Sequence, residues 1–342
     1  MSSKIDFRGP IRYRLRSMAE LGASILEVLV RRVLKGPRRP GWNWFVEVAT
    51  RMAKKQVNTA LKMRDVQQAR RYLDSVAFSS PALSEVTVRN AVHEKFRGSW
   101  FCCRNAESPL TLLYFHGGGY SFYPQAYTSF IAHITLAAKS RTFALDYRLS
   151  PEHRFPTQLD DALNTYQWLL ESGTDPDNLI LAGDSAGGNL ALALLLQARD
   201  LKLPLPSLVI ALSPPTNFDL EIVGNEFDWI DKPALLRWRD WFCDPAQRRN
   251  PLVSPLWADL RNLPPIYIQA GSAEILYDSI RAFADHGKNQ GADVVLESWE
   301  DMNHDFQIFG HEASQSADAL RRFGEVIDAR ARGREKKEAI SC

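Results

Sequence analysis

A chain of 342 residues that is 45% hydrophobic and 24% charged, with 19 glycines and 19 prolines, has the make-up of a globular protein, which excludes bulk disorder and collagen-like structure. At this length folding should bury roughly three quarters of the surface the unfolded chain exposes, so a large core needs no covalent help, and four cysteines without metal-ligand spacing supply neither a disulfide scaffold nor a metal site. The formal charge of +2 hides an asymmetry: residues 1–71 hold 17 lysines and arginines against 5 acids, a balance of +12, and the remaining residues sum to −10.

Apolar residues at Leu15, Met18, Ile25, Leu29 and Val33 recur at an approximate three-or-four spacing, which predicts an amphipathic helix whose apolar face lies on something. Gly36-Pro37 and Pro40-Gly41 break the chain, and Trp42, Trp44, Phe45 and Val48 open a second amphipathic stretch toward Met52. No strand signal precedes Val86. The apolar run from Leu21 to Val30 is interrupted by Glu27 and is about half the ~20 residues that span a bilayer. It also lacks a signal-peptide cleavage site, so a cytoplasmic location is the default expectation. A segment this basic could touch anionic lipid, but a solvated helix face is the commoner cause, and nucleic-acid binding has no motif behind it beyond charge.

From Val86 the pattern changes. Short β-rich runs at 87–92, 110–115, 142–146, 179–182, 208–212, 266–269 and 294–299 alternate with helix-like stretches at 127–139, 157–171, 187–200, 279–290 and 313–329. Several of the runs are apolar without alternation, which means that both faces are covered: a mostly parallel α/β sheet with helices on both faces. Between Pro214 and Pro264, Phe227, Trp229, Trp238, Trp241, Phe242 and Trp257 sit among charges with no strand signal. That stretch reads as an irregular helical insertion suited to roofing a ligand pocket. The charged end from Arg330 reads as frayed.

The segment Gly183-Asp184-Ser185-Ala186-Gly187 follows one apolar run and precedes a helix. A turn tight enough to lift a serine hydroxyl above a sheet needs residues without bulk two places before and after it. His116-Gly117-Gly118-Gly119 ends another apolar run, and consecutive glycines expose backbone N–H groups to a negatively charged oxygen. The lysine and spacing of a phosphate loop are missing, so an acyl-transfer oxyanion hole fits better, with the Ala186 N–H added from the helix after Ser185. A serine hydroxyl needs a base. His304, just past the last strand run, is placed to reach the same sheet edge, whereas His116 belongs to the glycine loop as scaffold. The base needs an acid, and Glu274, on the loop after residues 266–269, is the candidate; Asp278 and Asp301 are the alternatives.

Together with Asp146-Tyr147-Arg148-Leu149-Ser150-Pro151-Glu152 and the Asn303-His304 neighbourhood, these motifs resemble the hormone-sensitive lipase family, the bacterial family IV carboxylesterases, across roughly Val86 to Ala329. The order serine, acid, histidine is that of the α/β-hydrolases. The resemblance implies a hydrolase core with a helical cap: an N-terminal cap segment at 1–85, core at 86–213, a cap insertion at 214–262, core again at 263–330 and a flexible tail at 331–342. It implies oxyanion donors at Gly118, Gly119 and Ala186 and the acid at Glu274, where family members more often carry Asp.

The function expected is that of a serine carboxylesterase acting on short-to-medium acyl esters through an acyl-enzyme. Lactones, carbamates and aryl esters are alternative substrates on the same triad, and a non-catalytic ligand receptor on the same fold is the rival. The partner is a small-molecule ester; no metal or organic cofactor is required, and a homodimer is open because relatives pair edge strands. With an ordinary imidazole near pH ~6.5, activity is expected to rise through neutrality as His304 becomes neutral.

Overall fold

Residues 4–104, 108–221, 223–224 and 226–341 are described by a computed structural model. The N-terminal region comprises β1 (Lys4–Phe7), α1 (Ile11–Lys35), α2 (Trp44–Leu61), α3 (Val66–Leu73) and β2 (Val76–Ser79). β1 and β2 pair antiparallel, Lys4 opposite Ser79. A strand therefore does precede Val86, contrary to expectation, because a four-residue strand is too short to show a periodicity. The expected face of α1 is also corrected. The helix lies on the body through Tyr13, Ser17, Ser24 and Val28, while Leu15, Met18, Ile25, Leu29 and Val33 are 42% to 76% exposed. Polar contacts hold the inner face: Ser17 Oγ lies 2.8 Å from Ser75 Oγ, Gln56 donates to Ser17, and the Tyr72 hydroxyl donates to Glu20.

The elements that follow are β3 (Val86–Val92), β4 (Arg97–Cys103), β5 (Thr111–Phe115), α4 (Tyr127–Ala138), β6 (Arg141–Leu145), α5 (Thr157–Glu171), β7 (Leu179–Asp184), α6 (Ala186–Asp200) and β8 (Leu208–Leu212). After them come α7 (Lys232–Phe242), β9 (Ile266–Gly271), α8 (Tyr277–Asn289), β10 (Val294–Trp299) and α9 (Ser314–Ser341). Eight strands form one sheet in the order β10-β9-β8-β7-β5-β6-β4-β3. Every pairing from β6 to β10 is parallel, and only β4 with β6 and β3 with β4 are antiparallel. β5, β7, β8 and β9 are buried along their whole length, which accounts for their unbroken apolar runs. β4 shows no apolar run because Arg97-Gly98-Ser99 opens it, and it is only partly buried although β6 and β3 flank it.

α5, α6 and α8 cover one face of the sheet, where Leu159, Leu194 and Phe283 meet Leu181 and Val209; α4 and α9 cover the other, where Phe130 and Phe323 meet Tyr114 and Ile210. Each fully buried side chain of this size contributes roughly 1.5–3 kcal/mol relative to exposure. Above the carboxyl ends of the strands, Tyr13, Leu61 and Tyr72 from the N-terminal helices join Ile230 and Trp238 of the 214–262 stretch and Phe122 of the glycine loop in one apolar cluster. Arg70 of α3 adds a polar tie, donating to both carboxylate oxygens of Glu152 at 2.7 and 2.8 Å. α9 runs to Ser341 and so includes 331–341, the stretch expected as tail; Cys342 lies outside the described residues.

Candidate active site

The turn after β7 carries Ser185 at φ 48° and ψ −121°, in the left-handed half of backbone space that a serine enters only under constraint. Its neighbours explain the two glycines: a Cβ on Gly183 would collide with the Gly187 backbone, and one on Gly187 with the Phe115 carbonyl. The Ser185 N–H donates to the Leu212 carbonyl at 2.7 Å, fixing the turn against β8. One helical turn on, Asn189 accepts from the Tyr120 hydroxyl at 2.6 Å and donates to the Pro215 and Val253 carbonyls, so the glycine loop and the start of the insertion are tied to the serine's helix.

His116 has the scaffold position expected of it. Its ring is stacked between Tyr123 and Tyr147, at 3.6 and 4.1 Å between centroids, and its Nδ1 lies 2.7 Å from the Gly117 carbonyl. Burial holds it down to about 3, so it stays neutral at any working pH. The Gly117 N–H donates to Asp184 Oδ1 at 3.0 Å. Gly118 and Gly119 follow at φ 103° and 60°. Gly119 and Ala186 line the same cavity as Ser185, whereas Gly118 does not line it and packs against the Phe122 backbone.

His304 Nε2 lies 2.8 Å from Ser185 Oγ, a hydrogen bond between groups 119 residues apart. On the other side of the ring, Nδ1 stands 3.7 Å from Glu274 Oε2, within ion-pair range but longer than a hydrogen bond. That oxygen instead accepts a 2.6 Å bond from the Ser213 hydroxyl. Neither alternative acid pairs with the histidine: Asp278, exposed on α8 at the edge of the Ser185 cavity, pairs with Arg281, and Asp301 pairs with Arg39.

Two further carboxylates reach His304. Asp305 Oδ2 lies 3.1 Å from Nε2, the nitrogen that also faces the serine. Asp228, from the insertion, accepts from the Ile275 N–H at 2.7 Å and from the His304 N–H at 3.4 Å, and the adjacent Trp229 Nε1 donates to the His304 carbonyl at 2.7 Å. Asp228 and Trp229 thus clamp the loops that carry the acid and the histidine. Asp228 has no readable signal in the sequence, and Trp229 is legible only as one aromatic of the insertion, because no periodicity assigns a direction in that irregular stretch. Asp305 stood inside the histidine motif, but chain adjacency alone does not reveal that its side chain folds back onto the ring.

These charges correct the expected titration. Burial alone would disfavour the imidazolium, but Asp305 and Glu274 outweigh it and hold His304 well above the ordinary imidazole value. Glu274 and Asp228 are both pushed up by burial, against the pull of His304. Asp184 is raised by burial and then by Asp305.

The cavity over Ser185 has a volume of about 470 Å³. Phe218, Leu235, Trp238 and Leu276 make its walls largely apolar, and Trp238 from α7 lies over Gly119. A hydroxyl, an imidazole and a carboxylate in this order, beside a glycine loop and under an apolar roof, can perform nucleophilic attack on a carbonyl.

A model of the alpha/beta hydrolase fold matches residues 112–308. The chain is 38% identical over 200 residues to an acetyl-hydrolase of Streptomyces hygroscopicus, covering 57% of this chain and 67% of that protein. It is 33% identical over 237 residues to an esterase of Acinetobacter venetianus, covering 65% and 78%. Among solved structures it is similar to an esterase of the bacterial hormone-sensitive lipase family, with a TM-score of 0.74 at 30% identity over 82% of this chain and 97% of that one.

Proposed function

The chain belongs to the hormone-sensitive lipase family of α/β-hydrolases, and from that premise we propose that it is a carboxylesterase whose nucleophile, base and acid are Ser185, His304 and Glu274. The observation that carries the reading is the 2.8 Å contact between Ser185 Oγ and His304 Nε2 beside the Gly119 loop. Ser185 attacks the ester carbonyl as His304 takes its proton, and Glu274 orients and compensates the imidazolium from the Nδ1 side. The N–H groups of Gly118, Gly119 and Ala186 receive the tetrahedral oxyanion. His304 returns the proton to the leaving alcohol, and a water activated by the same nitrogen releases the acid. The 1–85 and 214–262 segments act as the cap, and the small apolar cavity favours short-to-medium acyl chains.

A fluorophosphonate should label the wild-type chain and not Ser185→Ala, and hydrolysis of p-nitrophenyl esters should peak at short or medium chains. Absence of labelling would defeat the nucleophile assignment, and a rate that keeps climbing with long-chain triglyceride emulsions would defeat the acyl preference.

The raised titration of His304 has a definite sign in the rate. The base works only when neutral, and its proton is held above the ordinary value. The acid limb of kcat/KM is therefore expected above the ~6.5 of a free imidazole, with activity rising as pH climbs through it. Asp305→Asn removes a carboxylate 3.1 Å from Nε2, so its limb should move to lower pH. Profiles of kcat/KM for p-nitrophenyl acetate in the two proteins decide this; a limb that stays or moves upward would show that Asp305 does not set it.

A further inference from the structure

The outward face of α1 is unusual for a helix that is part of a folded body. Ile11, Leu15, Met18, Ile25, Leu29 and Val33 form one stripe along its 25 residues, about 37 Å at 1.5 Å per residue. All six are exposed, Val33 to 76% and Ile11 to 63%. The inner face that binds the body is the more polar one, with Ser17, Ser24 and Glu20 on it. An apolar stripe of this length turned to water marks a contact with something outside the chain.

Charge decides which contact. Arg12 and Arg14 stand at one end of the helix and Arg31 and Lys35 at the other, while Arg16 pairs with Glu20 and Arg32 with the buried Glu47. The two acids of α1 are already engaged by the body: Glu27 is paired with Arg51 and Lys55, and Glu20 accepts from Thr59 and Tyr72. Two copies packed stripe to stripe would bring cationic ends together whether the helices ran parallel or antiparallel, which opposes a dimer on this face. An anionic surface meets both the stripe and its flanks. No helix among the described residues is long and apolar enough to cross a membrane, so α1 would lie in the interface plane.

Position ties the stripe to the ester cavity. Leu26, Val30 and Leu34, on the flank of the same helix, line a groove that ends on Glu226 and Phe227, and those two residues also line the cavity that holds Ser185. At that cavity Leu220 and Val223 are exposed, Val223 to 81%. We propose that α1 is an in-plane docking helix for an anionic phospholipid surface, seating its outward stripe in the lipid so that the mouth of the ester cavity faces the membrane and takes amphiphilic esters from it. The docking stands on the geometry of α1 alone; the substrate half rests on the esterase reading.

The test is co-sedimentation of the full chain with vesicles of phosphatidylglycerol and phosphatidylcholine, and with phosphatidylcholine alone, across a salt series. The wild type should bind the anionic vesicles at low salt, lose binding as salt rises, and bind the neutral vesicles less, since each surface arginine or lysine contributes roughly fivefold. Leu29→Glu with Val33→Glu should weaken binding by at least about tenfold by removing apolar area from the lipid, and Arg12→Glu with Lys35→Glu should weaken it through charge alone. Hydrolysis of p-nitrophenyl acetate in vesicle-free buffer should be unchanged in both pairs, which also shows that they fold. Absence of wild-type binding to anionic vesicles at low salt would overturn the proposal, as would unchanged binding in the Leu29/Val33 pair. A wild-type dimer that this pair converts to monomer would assign the stripe to a second copy and overturn it too. Binding is scored by sedimentation, so a chain that docks but hydrolyses nothing would count against the esterase reading and leave the docking standing.

Discussion

Ser185→Ala is expected to reduce kcat for p-nitrophenyl acetate by on the order of 10⁶, to a level set by what an oxyanion site and bound water can do without a nucleophile. The size follows from the mechanism being a unit. The hydroxyl lies 2.8 Å from His304 Nε2, the nitrogen that takes its proton, and removing either partner ends the acyl-enzyme route. His304→Ala should therefore cost about as much as Ser185→Ala, and the double variant little more than either alone. Single-turnover measurement on protein purified apart from any host esterase reads the residual rate. More than a trace of activity in Ser185→Ala would remove Ser185 from the mechanism, and additive losses in the double variant would mean that the two residues act separately. The change should cost little stability, since the backbone at Ser185 is fixed by its N–H bond to Leu212 and by the glycines on either side, not by the hydroxyl.

What the chain discloses without coordinates follows the range of the forces involved. The central strands were legible because burial on both faces writes an uninterrupted apolar run, as in Leu208–Leu212. The Ser185 turn was legible because its tightness is written within five residues as two glycines flanking the serine, although the atoms that forbid a Cβ there include the distant Phe115 carbonyl as well as the Gly187 backbone beside Gly183. Long-range polar geometry left no such trace. The bond from Trp229 to the His304 carbonyl spans 75 residues, and that from Ile275 to Asp228 spans 47, so nothing local selects those partners. The inward face of α1 is illegible for a related reason. Periodicity locates the apolar stripe correctly, but it does not say whether the chain itself covers that stripe, and here the serine-bearing face turns inward instead. Titration was likewise illegible, since the value of His304 depends on a carboxylate that folds back from the next residue onto Nε2.

The second large effect is expected at Gly119. Its φ of 60° is strained for any residue with a Cβ, and an added methyl would come within 2.5 Å of the Trp238 ring that covers the loop. Gly119→Ala must therefore either twist the loop or push Trp238 away, and a twisted loop re-aims the N–H assigned to the oxyanion. Loss of one such donor lowers kcat by about 10²–10³-fold. KM for a short ester should move much less, because the negative oxygen exists in the transition state and hardly at all in the bound ester. Trp238→Ala in the Gly119→Ala background separates the two causes. It relieves the collision but leaves the backbone strain, which is worth of order 1–3 kcal/mol, so the rescue of kcat should be partial. Full rescue would show that the bulk of Trp238 alone explains the loss. A Gly119→Ala enzyme with kcat intact and KM raised would place Gly119 in the binding wall and take it out of the oxyanion site.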